Sequence, residues 1–122
     1  MSDEQEAPFG PGVKVWVESR RTGAGVFGDG KWRLLDALLR ERSLTAASRV
    51  LRISYRKAWG DLRKAEQGLG VRLQVKERGG RGGGQTTLTP AGRRLHTAYA
   101  AFRAEVEDAM AAAWARHMKD VP

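Results

Sequence analysis

Three sets of residues in this chain have the types and spacing to do chemistry. Gly23-x-Gly25-x-x-Gly28 and Gly25-x-x-x-x-Gly30-Lys31 overlap, and both match glycine loops that cradle phosphates. His96 and His117 are the imidazoles available for acid–base or metal work. Ser54-Tyr55-Arg56-Lys57 puts two hydroxyls and two adjacent bases in one short run, and Lys76, Arg78 and Arg81 add a second basic group. The first set fails on detail. Trp32 stands where a Walker loop needs a hydroxyl on magnesium, and no series of βαβ units follows to build a nucleotide sheet. Fifteen glycines make chance matches easy. The bland alternative is a Gly-rich turn before a helix. The histidines fail as well: one helix cannot bring them together. They are expected at the surface or at an interface. No nucleophile motif and no ligand cluster accompany them, so the expectation is no catalytic site, no metal site and no enzyme.

The third set has the chemistry of polyanion recognition. A helix N-terminus presents free N–H groups to a phosphate, and arginine reads guanine through paired hydrogen bonds. Tyr55 and Trp59 have core spacing, which favours packing over base contact, although the Tyr55 hydroxyl has reach for both roles. Gly60 sits inside the same helix at a cost of about 1 kcal/mol relative to alanine. It suggests close approach of another backbone. The basic loop reads as a thin wing laid along phosphates, its glycines keeping it adaptable. The bland readings are a solvated basic face and a hairpin with incidental charge.

These residues need elements to position them. Ser43 to Trp59 holds two short helical patterns joined by a tight corner, the layout of a helix-turn-helix. Ser43 or Thr45 caps the first, where Ala46, Ala47, Val50 and Leu51 make a packing face. Ser54 caps the second, the recognition helix, over about 54–69, with Tyr55, Ala58, Trp59, Leu62 and Leu69 on its inner face. Before them, 13–18 alternates as a strand, Val26-Phe27 returns, and Asp29 caps a helix over 30–42. After them, 71–76 alternates, 79–84 is a glycine loop, and 86–88 returns, giving a wing over about 71–89. Thr89-Pro90 opens a long helix to about Met118. Its Leu95, Tyr99, Phe102 and Val106 step by four and three, a heptad-like seam that reads either as a dimer interface or as burial within the same subunit. The fold class is mainly α with small β hairpins (α+β): a winged helix-turn-helix with a long C-terminal dimerisation helix. Residues 1–12 form a flexible lead-in, 13–92 the DNA-binding domain and 93–122 the C-terminal helix.

Composition agrees. With 122 residues, 41% hydrophobic and 30% charged, one packed domain is expected. The net charge of +8 and pI near 10.6 favour nucleic acid, with an anionic membrane or mere basicity as rivals. The absence of cysteine removes thiolate chemistry. No apolar run approaches the ~20 residues of a membrane span, and the acidic N-terminus is no signal peptide, so a cytoplasmic protein without membrane contact is expected.

Residues 13 to about 106 resemble the N-terminal DNA-binding domain of ModE-type, molybdate-responsive bacterial regulators. Lys14-Val15-Trp16, Val26-Phe27-Gly28, Leu34-Leu35, Ser43-Leu44-Thr45-Ala46-Ala47, Ile53-Ser54-Tyr55-Arg56-Lys57-Ala58-Trp59, Gly79-Gly80-Arg81-Gly82-Gly83-Gly84 and Leu88-Thr89-Pro90-Ala91-Gly92 carry the resemblance. The SYRKAW and GGRGGG runs are its specific parts; TAAS and LTPAG are shared with LysR-type regulators. The resemblance implies a homodimer on a double-stranded operator with two related half-sites, regulating molybdate transport or molybdoenzyme genes. The molybdate-binding domain that such members carry after this one is absent, so no cofactor is expected here. Arg52 departs from the family, which usually has Gly in that corner; at φ > 0 it costs of order 1 kcal/mol, and its charge offers a phosphate contact. The expected DNA-binding set is Thr45, Arg52, Ser54, Tyr55, Arg56, Lys57, Lys64, Lys76, Arg78 and Arg81. The alternatives are a LysR-like or other winged-helix regulator answering a different signal, a P-loop-like nucleotide binder, and a protein-interaction module that uses the long helix.

Overall fold

Short amphipathic runs become helices and alternating runs become strands in the computed structural model of the chain, which describes residues 8–77 and 84–121. The order is β1 (Trp16–Glu18), β2 (Gly25–Gly28), α1 (Asp29–Glu41), α2 (Leu44–Leu51), α3 (Tyr55–Leu69), β3 (Gln74–Glu77), β4 (Gln85–Leu88) and α4 (Pro90–His117). The expected wing-tip bases Arg78 and Arg81 lie outside the described residues.

Strands β1 and β2 pair antiparallel, Val17 opposite Phe27, with an irregularity after Val17. Strands β3 and β4 form the wing, with register from Gln74 opposite Leu88 to Glu77 opposite Gln85. β3 starts later than the alternation predicts. The carboxylate of Glu66 accepts hydrogen bonds from the Leu73 amide (2.8 Å) and the Gln74 amide (3.4 Å), so helix α3 takes those donors.

Three helices start on side-chain caps. Ser43 Oγ accepts from the Ala46 amide, Ser54 Oγ from the Lys57 amide and Thr89 Oγ1 from the Gly92 amide, each at 3.0 Å. The Thr89 hydroxyl also donates to the Arg72 carbonyl at 2.7 Å, tying the start of α4 to the root of the wing. Helix α1 differs from expectation. Its N-cap is Gly28 with no side-chain bond, and Asp29 lies one residue inside the helix.

The core lies between α1, α2, α3 and the roots of both hairpins. Leu34, Leu35, Leu38 and Leu73 are its largest fully enclosed side chains, joined by Phe27, Ala47, Ala58, Leu62, Ala65, Leu88 and Tyr99. α2 buries Leu44, Ala47 and Ser48, while Val50, expected on the packing face, is exposed. The corner after α2 turns through Arg52 at φ 60 and ψ 41, as its place in the motif requires. That conformation costs roughly 1–2 kcal/mol in a non-glycine residue, whereas burying one leucine contributes roughly 1.5–3 kcal/mol. The core therefore holds the corner. Close approach of another backbone, expected at Gly60, occurs at Gly92 instead, while Gly68 seats the Val26 side chain. A Cβ on Gly68 would stand 2.5 Å from Val26 Cγ1, and one on Gly92 would overlap the Leu73 carbonyl.

Candidate nucleic-acid interface

Helix α3 packs inward through Ala58, Leu62 and Ala65, which leaves the opposite side of the helix to solvent. Its first turn contains no acid, so the positive end of its dipole is not countered by its own carboxylates. Arg56 and Lys64 are exposed and form no ion pair among the described residues. Lys57 pairs with Asp61, one turn further along the helix, at 3.0 Å, an exposed pair that water largely screens. Arg52 and Ser54 are exposed just before the helix, Thr45 in the first turn of α2, and Lys76 on the wing. Six of the ten expected DNA-binding residues thus lie at the start of α3 or on it, with Thr45 on α2 and Lys76 on the wing. Arg78 and Arg81 lie outside the described residues.

Tyr55 and Trp59 do not pack as their spacing predicts. They are 46% and 45% exposed, because the buried stripe of α3 is made by Ala58, Leu62 and Ala65 and leaves the aromatics at the rim. Trp59 instead lies under the guanidinium of Arg63, 4.8 Å from the ring centroid. Beside them runs a groove between α3 and the wing, lined by Trp59, Arg63, Glu66, Gln67, Arg72 and Gln74.

The seam on α4 is divided. Tyr99 is buried in its own subunit, edge-on to Phe27 with ring centroids 5.2 Å apart, and Leu95 also packs against the core. Both leave the expected dimer surface, and burial within the subunit holds for them. Phe102 is half-exposed and Val106 partly so. The Tyr99 hydroxyl donates to Asp29 Oδ1 at 2.7 Å and lies 3.1 Å from the Val15 carbonyl. Arg103 Nε closes on both oxygens of Asp29, at 3.0 and 2.9 Å. The Tyr99 hydrogen bond, aided by Arg103 against partial burial, holds the Asp29 carboxyl below its ordinary value. Burial and the Asp29 bond push Tyr99 up to about 12.

His96 is not a surface residue. Its Nε2 lies 2.9 Å from Asp36 Oδ1, its ring stacks on Trp32 at 4.9 Å, and its carbonyl accepts from Trp32 Nε1 at 2.9 Å. Burial raises the Asp36 carboxyl, but the His96 bond and Arg40 outweigh it, and the group sits below its ordinary value. Sequence gave only the separation of these residues along the chain; the signal that was available is the apolar spacing shared by Trp32 and Tyr99. Among the described residues no three His, Cys, Asp or Glu groups converge as metal ligands, and no helix is long and apolar enough to cross a membrane. The glycine motifs form the β1–β2 turn, closed by Gly23 N–H to the Ser19 carbonyl at 2.7 Å, and the start of α1. The described strands form two antiparallel pairs, not a nucleotide-binding sheet.

The family described as bacterial regulatory helix-turn-helix protein, lysR family, matches residues 30–93, from the first turn of α1 to the start of α4. This chain belongs to that family. Its described part has the winged helix-turn-helix architecture of that family. Among its relatives, the molybdenum transport protein ModE of Azotobacter vinelandii is 38% identical over 82 residues, 67% of this chain and 30% of that protein. The molybdenum-pterin-binding protein MopB of Rhodobacter capsulatus is 38% identical over 90 residues, 74% of this chain and 33% of that protein. This lysR-family chain thus spans about a third of the length of the curated relatives it matches, and the ModE resemblance stands beside the lysR match. The DNA-binding domain of BenM, solved in complex with benA site 1 DNA, has the same fold, with TM-score 0.54 at 22% identity over 76% of this chain and 97% of that one.

Proposed function

We propose that this chain is the DNA-reading part of a ModE-type regulator, binding as a homodimer to an operator with two related half-sites and acting on molybdate-transport or molybdoenzyme genes. The observation that carries the DNA reading is the start of α3: a Ser54-capped, acid-free first turn with Arg56 exposed and in no ion pair among the described residues. In this reading Ser54 and Tyr55 hold phosphates at the helix end. Arg56 and Lys57 meet base edges, and Thr45, Arg52, Lys64 and Lys76 bind the flanking backbone together with Arg78 and Arg81. The names of the two relatives support the molybdenum assignment. Phe102 and Val106, on the part of α4 that leaves the core, support pairing of two copies.

The test is a gel-shift series on a selected operator and a scrambled duplex. Arg56→Ala and Lys57→Ala are expected to narrow the difference between the two duplexes by about tenfold, or roughly 1–3 kcal/mol of discrimination, with circular dichroism unchanged. Unaltered discrimination in both variants overturns the recognition role of α3. Sites selected from a random duplex pool identify the genes. Sites ahead of other gene classes would replace the molybdenum reading with that of a lysR-type regulator answering another signal.

A further inference from the structure

Gly60 is the one feature of α3 that the fold does not explain. It lies in mid-helix, away from the positive-φ glycines Gly23 and Gly70. A Cβ placed there meets nothing within 4 Å. Alanine therefore fits the backbone and the space, and has the higher helix propensity. At 3.6 residues per turn, Gly60 stands about 200° round the helix from Ala58, opposite the stripe that Ala58, Leu62 and Ala65 bury. Arg56 lies one turn before it, and Arg63 and Lys64 one turn after. The result is a strip of bare backbone rimmed by long basic side chains, at the crown of the face turned away from the core.

We infer that Gly60 is a contact notch, the point at which a base-pair edge in the major groove seats against the backbone of α3. This rests on the reading of α3 as the recognition helix. A methyl group at the crown would lift the helix off the groove floor by about 1.5 Å, one carbon–carbon bond. A hydrogen bond of about 2.9 Å from Arg56 to a base would then be stretched beyond about 3.5 Å, where little of it survives. Contacts to phosphates, made by flexible stems at the rim, follow the lift more easily. The notch therefore sets specificity more than overall affinity.

The experiment compares Gly60→Ala and Gly60→Leu with the wild-type chain by thermal unfolding and by fluorescence anisotropy on the selected operator and a scrambled duplex. The expected result is a midpoint raised by roughly 3–6 °C for Gly60→Ala, together with operator binding weakened about tenfold and scrambled binding changed far less. Gly60→Leu is expected to weaken operator binding further. Stabilised variants that bind the operator as well as wild type overturn the notch. A lowered midpoint in Gly60→Ala also overturns it, since glycine would then serve the fold. Wild-type protein that binds no duplex, or full discrimination in both Arg56→Ala and Lys57→Ala, removes the recognition-helix reading and the notch with it. Discrimination lost in Arg56→Ala or Lys57→Ala but kept in the Gly60 variants leaves the recognition helix standing and overturns the notch alone.

Discussion

Arg42 and Arg52 hold left-handed backbone, at φ 59 and 60, where α1 and α2 end. Both places suit glycine. At Arg52 the amide bonds to the Arg49 and Ser48 carbonyls, so the corner is fixed by main chain, and the arginine side chain is free to serve elsewhere. Arg52→Gly is expected to stabilise the domain by about 1 kcal/mol, read as a raised urea midpoint at constant slope. The same change should weaken binding of operator and scrambled duplex alike, because a lost phosphate contact carries no sequence information. Weakened operator binding with scrambled binding untouched would contradict that role. At this scale the sequence was readable where the signal is local. Ser54 and Thr89-Pro90 cap as their neighbours require, and Ser43 rather than Thr45 caps α2. It misled where tertiary packing decides: Trp59 and Tyr55 have the spacing of core residues, yet Ala58, Leu62 and Ala65 make the buried stripe and leave the rings outside.

Helices α1 and α4 are joined by directional polar groups. Asp29 receives Tyr99 and Arg103; Asp36 receives His96. Tyr99 is raised from 10.0 to about 12, so the folded state favours the neutral hydroxyl. Its contribution is present in full below pH 10 and is lost as pH rises toward 12, and two units correspond to about 2–3 kcal/mol. Tyr99→Phe should therefore be less stable than wild type at pH 8, with the gap closing by pH 12 in urea titrations. A gap that stays constant would refute the linkage. Asp29 and Asp36 act in the opposite direction. Both carboxyls are lowered from 3.8, so their stabilisation is present above that value and lost as pH falls through it and below. Periodicity places Tyr99 on an apolar face of α4, but a seam facing a partner and one facing its own core have the same spacing. What decides is Asp29, whose carboxylate was read as a cap and turns instead to α4.

For the molecule as a whole, part of the basic excess behind the charge of +8 falls on the candidate interface. Arg52, Arg56, Lys57, Lys64 and Lys76 lie around the start of α3, along its outer face and on the wing. In the proposed reading the bases that meet phosphates are Arg52, Lys64, Lys76, Arg78 and Arg81, and five such contacts per protomer are expected to give a slope of log affinity against log salt of about −4 to −5. Anisotropy titrations between 50 and 300 mM KCl measure it, and a slope near zero would show that these bases do not meet phosphates. Fold class, helix order and the wing were all legible, since each follows from a run of periodic residues bounded by capping or glycine signals. The α1–α4 network was not, because its partners are distant in the chain. That network has a mechanical consequence. Among the described residues α4 buries only Gly92 and Tyr99, and its last tether to α1 is Arg103. The stretch from Arg103 to His117 is then a rigid arm of about 20 Å, with its fulcrum at Asp29. Hydrogen bonds tolerate little rotation, so a torque on the far end of that arm is resisted at the first turn of α1 before it reaches the leucines beneath.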